Sequence, residues 1–314
     1  MKLAYYPGCT LHGTAREYDA STKAVSKAAG IELTEIEDWN CCGALEAIFD
    51  KELSMGLSAR NNMLAQKTGL DLVVPCSICS HNLSRADKAM KTDDAFRAKI
   101  EKALGESYKG VKIKHLLDVM VNDVGTEALA KKFVKPLKGI KAVPYYGCLL
   151  VRPSEVSRFD NPENPTSLDN LIKATGAECL PFTQKTKCCG GNLLMSKQDY
   201  AFILTKKLFD EAKAAGANCI VVACPMCHML LDGQQSMVEK AHNTVIGLPI
   251  LYFTQLIGLA MGLSEKELEL DKNMVSPKSL IESINKQEEK KVEAKIETKI
   301  ENKAEPKAEE EVAK

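Results

Sequence analysis

Residues 71 to 81 read DLVVPCSICSH, and residues 219 to 228 read CIVVACPMCH. Each stretch is a continuous β-branched run that stops at a cysteine and opens a CxxC motif. A buried strand is predicted to end there. The residues that follow, CSICSHNLSRADKAM and CPMCHMLLDGQQSM, predict a helix beginning within the motif, so that free backbone N–H groups and the positive end of the helix dipole face the sulfurs. Thiolates are stabilised at such a place.

Upstream of each motif lies a pair of adjacent cysteines followed by glycine: Cys41 and Cys42 in DWNCCGALEA, Cys188 and Cys189 in KTKCCGGNLL. Neighbouring cysteines suit a mutual disulfide poorly, because a trans peptide holds their Cα atoms about 3.8 Å apart where a bridge prefers roughly 5.5 to 6 Å. They also serve one tetrahedral zinc badly, since adjacent side chains splay apart. Two diverging sulfurs suit a target with more than one metal atom. Gly43, Gly190 and Gly191 let the backbone come close and take unusual φ.

Further upstream, KLAYY and IKAVPYY are strand-like and stop at a glycine and a cysteine, Cys9 and Cys148. The chain therefore says the same thing twice. Cys9, a gap of 31, Cys41 and Cys42, a gap of 33, then Cys76 and Cys79 form one set; Cys148, a gap of 39, Cys188 and Cys189, a gap of 34, then Cys224 and Cys227 form the other. Ten of the 12 cysteines fall into this pattern. Helical patterns such as KELSMGLSARNNMLAQKTG and SKQDYAFILTKKLFDEAKAAG, each closed by glycine, separate the strands. The prediction is an α/β chain of two pseudo-symmetric domains, residues 1–138 and 139–284, each a mainly parallel sheet flanked by helices with five cysteines at its carboxyl end. Residues 285–314 alternate Lys and Glu without glycine or aromatics, and predict a flexible charged tail.

The 314 residues are 45% apolar with zero formal net charge, so a real core can form and nothing global argues for nucleic acid or an anionic membrane as partner. The apolar run at 245–263 is broken by Pro249, Thr254 and Gln255, and predicts a strand and a core helix rather than a membrane span. The start of the sequence lacks the pattern of a signal peptide, which places the cysteines in the reducing cytoplasm, where metal or redox roles outweigh disulfides. Taken alone, Cys76 and Cys79 could be a thioredoxin-like pair, and four of five sulfurs could close around a structural zinc at one site. Cys179 and Cys219 read as small buried hydrophobes. His12, His81 and His228 cap helices or stand beside the sulfurs, whereas His115 and His242 read as ordinary positions.

At YYPGC, YYGCLLVRP, CCGG and the CxxC pairs, the chain resembles the cysteine-rich CCG domain family, and within it the B subunits of CoB–CoM heterodisulfide reductases. The resemblance spans nearly all of residues 1 to 260. It implies one noncubane iron–sulfur cluster of the 4Fe-4S type on Cys9, Cys41, Cys42, Cys76 and Cys79, and a second on Cys148, Cys188, Cys189, Cys224 and Cys227. It further implies that the disulfide CoM–S–S–CoB lies between the clusters and is cleaved to two thiols with one electron from each. The anionic ends of such a substrate call for cations, for which Arg152, Lys187, His12, Arg16 and Arg85 are the candidates. Implied partners are the other heterodisulfide reductase subunits, one an iron–sulfur electron donor and one flavin-bearing, within a larger complex with a hydrogenase or formate dehydrogenase. The rival readings are a CCG subunit of another thiol, lactate-linked or fumarate-linked oxidoreductase, and a non-catalytic electron-transfer or zinc scaffold subunit.

Overall fold

The computed structural model describes residues 1–157 and 159–285. The expected charged tail, save its first residue, lies outside the described residues. Eight strands form two sheets: β1 (Lys2–Tyr5), β2 (Glu32–Glu35), β3 (Leu72–Val74) and β4 (Ile113–His115) in one, β5 (Lys141–Tyr145), β6 (Glu178–Cys179), β7 (Cys219–Val222) and β8 (Ile250–Tyr252) in the other. Both are wholly parallel, with spatial orders β2-β1-β3-β4 and β6-β5-β7-β8. In each, the chain leaves the first strand toward one edge and returns on its other side. Such a reversal opens a crevice at the carboxyl ends of the two central strands. Cys9 follows β1 and Cys76 follows β3, while Cys148 follows β5 and Cys224 follows β7. Topology alone thus delivers four cysteines to the two crevices.

The central strands β3 and β7 are buried along their whole length, as strands covered on both faces by crossover helices must be. Each fully buried Val or Leu contributes about 1.5–3 kcal/mol. Cys179 lies in β6 and Cys219 in β7, and Cys219 is wholly buried among apolar neighbours. The apolar run forms β8 and the helix Phe253–Ala260, every residue of which is buried. No helix among the described residues is long and apolar enough to cross a membrane.

The two halves exchange their helices. Phe253–Ala260 of the second half packs on Arg16–Ala29 of the first, and Thr126–Ala130 of the first packs on Ser167–Ala174 of the second. Ser21 Oγ and Thr254 Oγ1 share a hydrogen bond of 2.8 Å within this contact. The core is accordingly continuous from one sheet to the other.

Candidate metal centre

Strand ends and helix starts set the cysteines. Cys76 precedes the helix Ser77–Thr92, and Ser80 N donates to Cys76 O at 2.8 Å; Cys224 precedes Pro225–His228, and His228 N donates to Cys224 O at 3.0 Å. Both CxxC motifs are therefore wound into a first helical turn, as their sequence predicts. The paired cysteines are held from the helix that follows them. Ser58 Oγ donates to Cys42 O at 2.7 Å, and Thr205 Oγ1, at the matching place sixteen residues on, donates to Cys189 O at 3.0 Å.

Gly43 and Gly190, with φ of +75° and +95°, lie directly against the same helices. A Cβ on either would stand 2.8 Å from a helix backbone atom, the Cα of Ser54 or of Ala201. Only glycine fits both the left-handed turn and the space.

The ten sulfurs form one row. Cys9 Sγ lies 3.8 Å from Cys41 Sγ, Cys41 interacts with Cys42, Cys42 with Cys79, and Cys79 with Cys76. Cys76 then meets Cys224 of the other half, and the row continues through Cys227, Cys189 (3.6 Å from Cys227), Cys188 and Cys148. The junction is fixed by backbone contacts, since Ser77 Oγ donates to Ala223 O at 3.1 Å and His115 Nε2 lies 3.2 Å from the same oxygen. Cys42, Cys76, Cys79, Cys189, Cys224 and Cys227 are buried, and Cys9 and Cys188 are exposed. A dry middle joins two accessible ends.

Three lowered thiols, Cys41, Cys224 and Cys188, are set apart along the row by raised ones. Cys41 is held down to about 2 by the S–H of Cys42 first and then that of Cys9, and Cys188 to about 2 by the S–H of Cys148 and Cys189. Backbone N–H groups help: Gly190 N donates to Cys188 Sγ at 3.3 Å and Gly191 N to Cys189 Sγ at 3.4 Å. Beside these thiolates Cys42 and Cys189 are each pushed up to about 12, with the neighbouring Cys41 or Cys188 as the main cause. At the junction Cys227 holds Cys224 low, and Cys224 raises Cys76. Ten adjacent thiolates could not coexist in so buried a place without cations among them.

Among the described residues, no three Cys, His, Asp or Glu side chains converge on one point as a single ion requires. Sulfur is the donor throughout the row, and Cys148, Cys188, Cys189, Cys224 and Cys227 line one cavity; soft thiolate donors of this kind fit an iron–sulfur group.

The expected cations stand in different settings. Arg152 braces its own loop, donating to Pro162 O at 2.7 Å and to Glu163 at 3.0 Å; His12 pairs with Glu35 at 3.1 Å and sets its ring edge-on to Trp39. Arg16 and Lys187 are exposed. Arg85 is half-buried with its Nε unpartnered, near His81, whose imidazole is lowered to about 4 by burial first and Arg85 next. His115, read from sequence as an ordinary position, is a buried member of the junction between halves.

Sequence reasoning missed two tyrosines. Tyr6 OH donates to Asn40 O, and Tyr145 OH to Lys187 O, both at 2.7 Å, so each holds the carbonyl just before a cysteine pair. A tyrosine three residues ahead of Cys9 and of Cys148 was the available signal.

The Cysteine-rich domain model, CCG, matches residues 3–84 and again 142–232. The chain belongs to the CCG family. It is 34% identical over 284 residues to the 8-methylmenaquinol:fumarate reductase membrane anchor subunit of Wolinella succinogenes, covering 89% of this chain and 99% of that protein. It is 30% identical over 282 residues to the B subunit of the ferredoxin:CoB-CoM heterodisulfide reductase of Methanosarcina mazei, covering 87% and 94%. A crystal structure of a hypothetical protein from Helicobacter pylori shares the fold, with a TM-score of 0.72 at 15% identity over 88% of this chain; the match spans about half, 52%, of that structure. Family membership makes the chain a cysteine-rich subunit of the disulfide-type oxidoreductases, and implies iron–sulfur or other metal binding at the CCG cysteines.

Proposed function

We propose that the chain is the redox-active subunit of a heterodisulfide reductase-type complex and reduces a disulfide of the CoM–S–S–CoB kind at two noncubane iron–sulfur clusters. The observation that carries this is the sulfur row, with one five-cysteine set from each half and a buried meeting point between them. Cys9, Cys41, Cys42, Cys76 and Cys79 would hold one cluster, and Cys148, Cys188, Cys189, Cys224 and Cys227 the other. When bound, the clusters supply single electrons and iron with affinity for sulfur.

The protein supplies the rest. The interlocked halves keep water from the central sulfurs, where electrostatic interactions are strong. The N–H groups of Gly190 and Gly191 stabilise negative charge on Cys188 and Cys189. Lys187, Arg85 and Arg16, which have no carboxylate partner among the described residues, are the cations left for the acidic ends of a substrate, while Arg152 pairs with Glu163 and His12 with Glu35. Disulfide reduction consumes two electrons and two protons and yields two thiols. The electrons would come through an iron–sulfur partner and a flavin-bearing partner, in a cytoplasmic complex with a hydrogenase or formate dehydrogenase.

A second reading, membership of a quinol:fumarate reductase, is supported by the 34% identity over almost the whole Wolinella relative. One experiment separates the two. The complex, isolated anaerobically with its native partners, is offered reduced donor with CoM–S–S–CoB, or a menaquinol analogue with fumarate. Thiol release from the heterodisulfide supports the first reading, and fumarate reduction without thiol release replaces it by the second.

A further inference from the structure

The two cysteine pairs are latched by equivalent tyrosines, but not equally. In the first half, Asn40 O accepts from Tyr6 OH at 2.7 Å and also from Asn61 Nδ2 at 2.8 Å. Asn40 N donates to Asn61 Oδ1 at 2.9 Å, and Arg60 donates to Asn40 Oδ1 at 2.8 Å. Asn40 Nδ2 also donates to Cys41 O at 2.7 Å and to Leu57 O at 3.1 Å, so six hydrogen bonds fix the residue before Cys41. In the second half, Lys187 O accepts from Tyr145 OH alone among the described residues, and the Lys187 side chain is exposed. Tyr145 is itself buried at 1% exposure, and no glutamine or asparagine stands where Asn61 stands. The matching position, nineteen residues after Cys189, is Leu208.

The Lys187 peptide leads straight into the turn whose N–H groups point at Cys188 and Cys189. A carbonyl fixed on one side of that turn keeps the next amides aimed at the sulfurs. Lys187 N also donates to Gln184 O at 3.0 Å, and Thr205 Oγ1 holds Cys189 O on the far side of the turn. We propose that Tyr145 is the positioning residue for the second cysteine pair, as the one donor to the carbonyl before it among the described residues, whereas Tyr6 shares the matching carbonyl with Asn61. The second half then carries the adjustable sulfur site and the first half the rigid one.

The functional side of this inference rests on both sets being iron–sulfur ligands, because hydrogen bonds to sulfur tune cluster potential. The test uses the full chain with Y145F, Y6F, and Y6F combined with N61A. Peptide-resolved amide exchange reads the latch directly. Y145F speeds exchange across residues 188–191 by about five- to tenfold, the worth of one hydrogen bond. Y6F leaves residues 41–44 near wild type, and Y6F with N61A frees them. In anaerobically prepared protein, redox titration followed by paramagnetic resonance shifts one potential to more negative values in Y145F and neither in Y6F. Should Y145F not fold, 3-fluorotyrosine at position 145, a stronger donor of the same shape, slows exchange at 188–191 instead. Equal effects of Y6F and Y145F on their own segments, or no effect of any change at position 145, overturn the proposal. Wild-type protein without iron would sink the ligand reading and leave the exchange result standing.

Discussion

The ring of Tyr18 stacks on that of Tyr252 with 3.9 Å between centroids and 5° between planes, and the imidazole of His228 stacks on the far side of Tyr252 at 4.1 Å. Tyr18 belongs to the helix Arg16–Ala29 of one half, Tyr252 to the last strand of the other. Tyr18 OH also donates to Pro75 O at 2.9 Å, immediately before Cys76. The stack therefore links the interlocking of the halves to the sulfur junction.

Tyr18→Leu removes a stacked ring and leaves the Pro75 carbonyl without its donor. We expect a loss of about 2–4 kcal/mol, read as a lower unfolding midpoint in thermal or denaturant melts. An unchanged midpoint would mean that the stack contributes nothing to holding the halves.

Gly190→Ala forces a Cβ to 2.8 Å from the backbone of Gln198–Ala214 at a φ of +95°, and Gly43→Ala does the same against Lys51–Gln66. Each should cost at least about 1–3 kcal/mol and displace its cysteine pair. Iron and sulfide per chain should fall toward half in either variant; full retention in both would count against the close packing of these turns.

Glu17 gives a pH dependence with a definite sign. Burial raises its carboxyl from 4.5 to about 7, with Asp232 and Glu269 adding like charge and Tyr252 opposing. Asp232, buried nearby, is likewise raised, to about 6. A folded pKa above the unfolded one means that the folded chain holds the extra proton, so this contribution is intact below about 4.5 and is lost as pH climbs toward 7. Glu17→Gln removes that loss. The variant should gain on wild type by a few degrees of melting temperature between pH 5 and 8, and a difference flat with pH would refute the assignment.

Much of this was legible in the sequence because cysteine spacing and β-branched runs are local signals. The strand ends, the helix starts at both CxxC motifs, the parallel sheets and the burial of residues 248–260 all follow from them. What the sequence hid depends on contacts between distant segments. Arg152 reads as a free cation near Cys148 until Glu163 and Pro162, brought back by the same loop, occupy it. His115 reads as ordinary until the second half places Ala223 O against it. The repeated Tyr-Tyr obscures a one-residue offset: in the sheets Tyr5 stands beside Val73 as Pro144 stands beside Val221, which makes Tyr6 the counterpart of Tyr145.

Cys76 and Cys224 make the two sets neighbours rather than separate sites. Cys76→Ser should therefore disturb the paramagnetic signals attributed to both halves, while Cys9→Ser, at an exposed end, should disturb one. Independent behaviour of the halves in Cys76→Ser would break the row into two.

On this reading the ten cysteines hold iron–sulfur groups. Its most direct measurement is iron, acid-labile sulfide and zinc per chain in anaerobically purified protein, with paramagnetic resonance recorded before and after addition of CoM–S–S–CoB. Iron and sulfide well above one cubane per chain, with a signal that appears on adding the disulfide, is the predicted result. Zinc in place of iron at both sets, or iron whose signal ignores the disulfide, would contradict it.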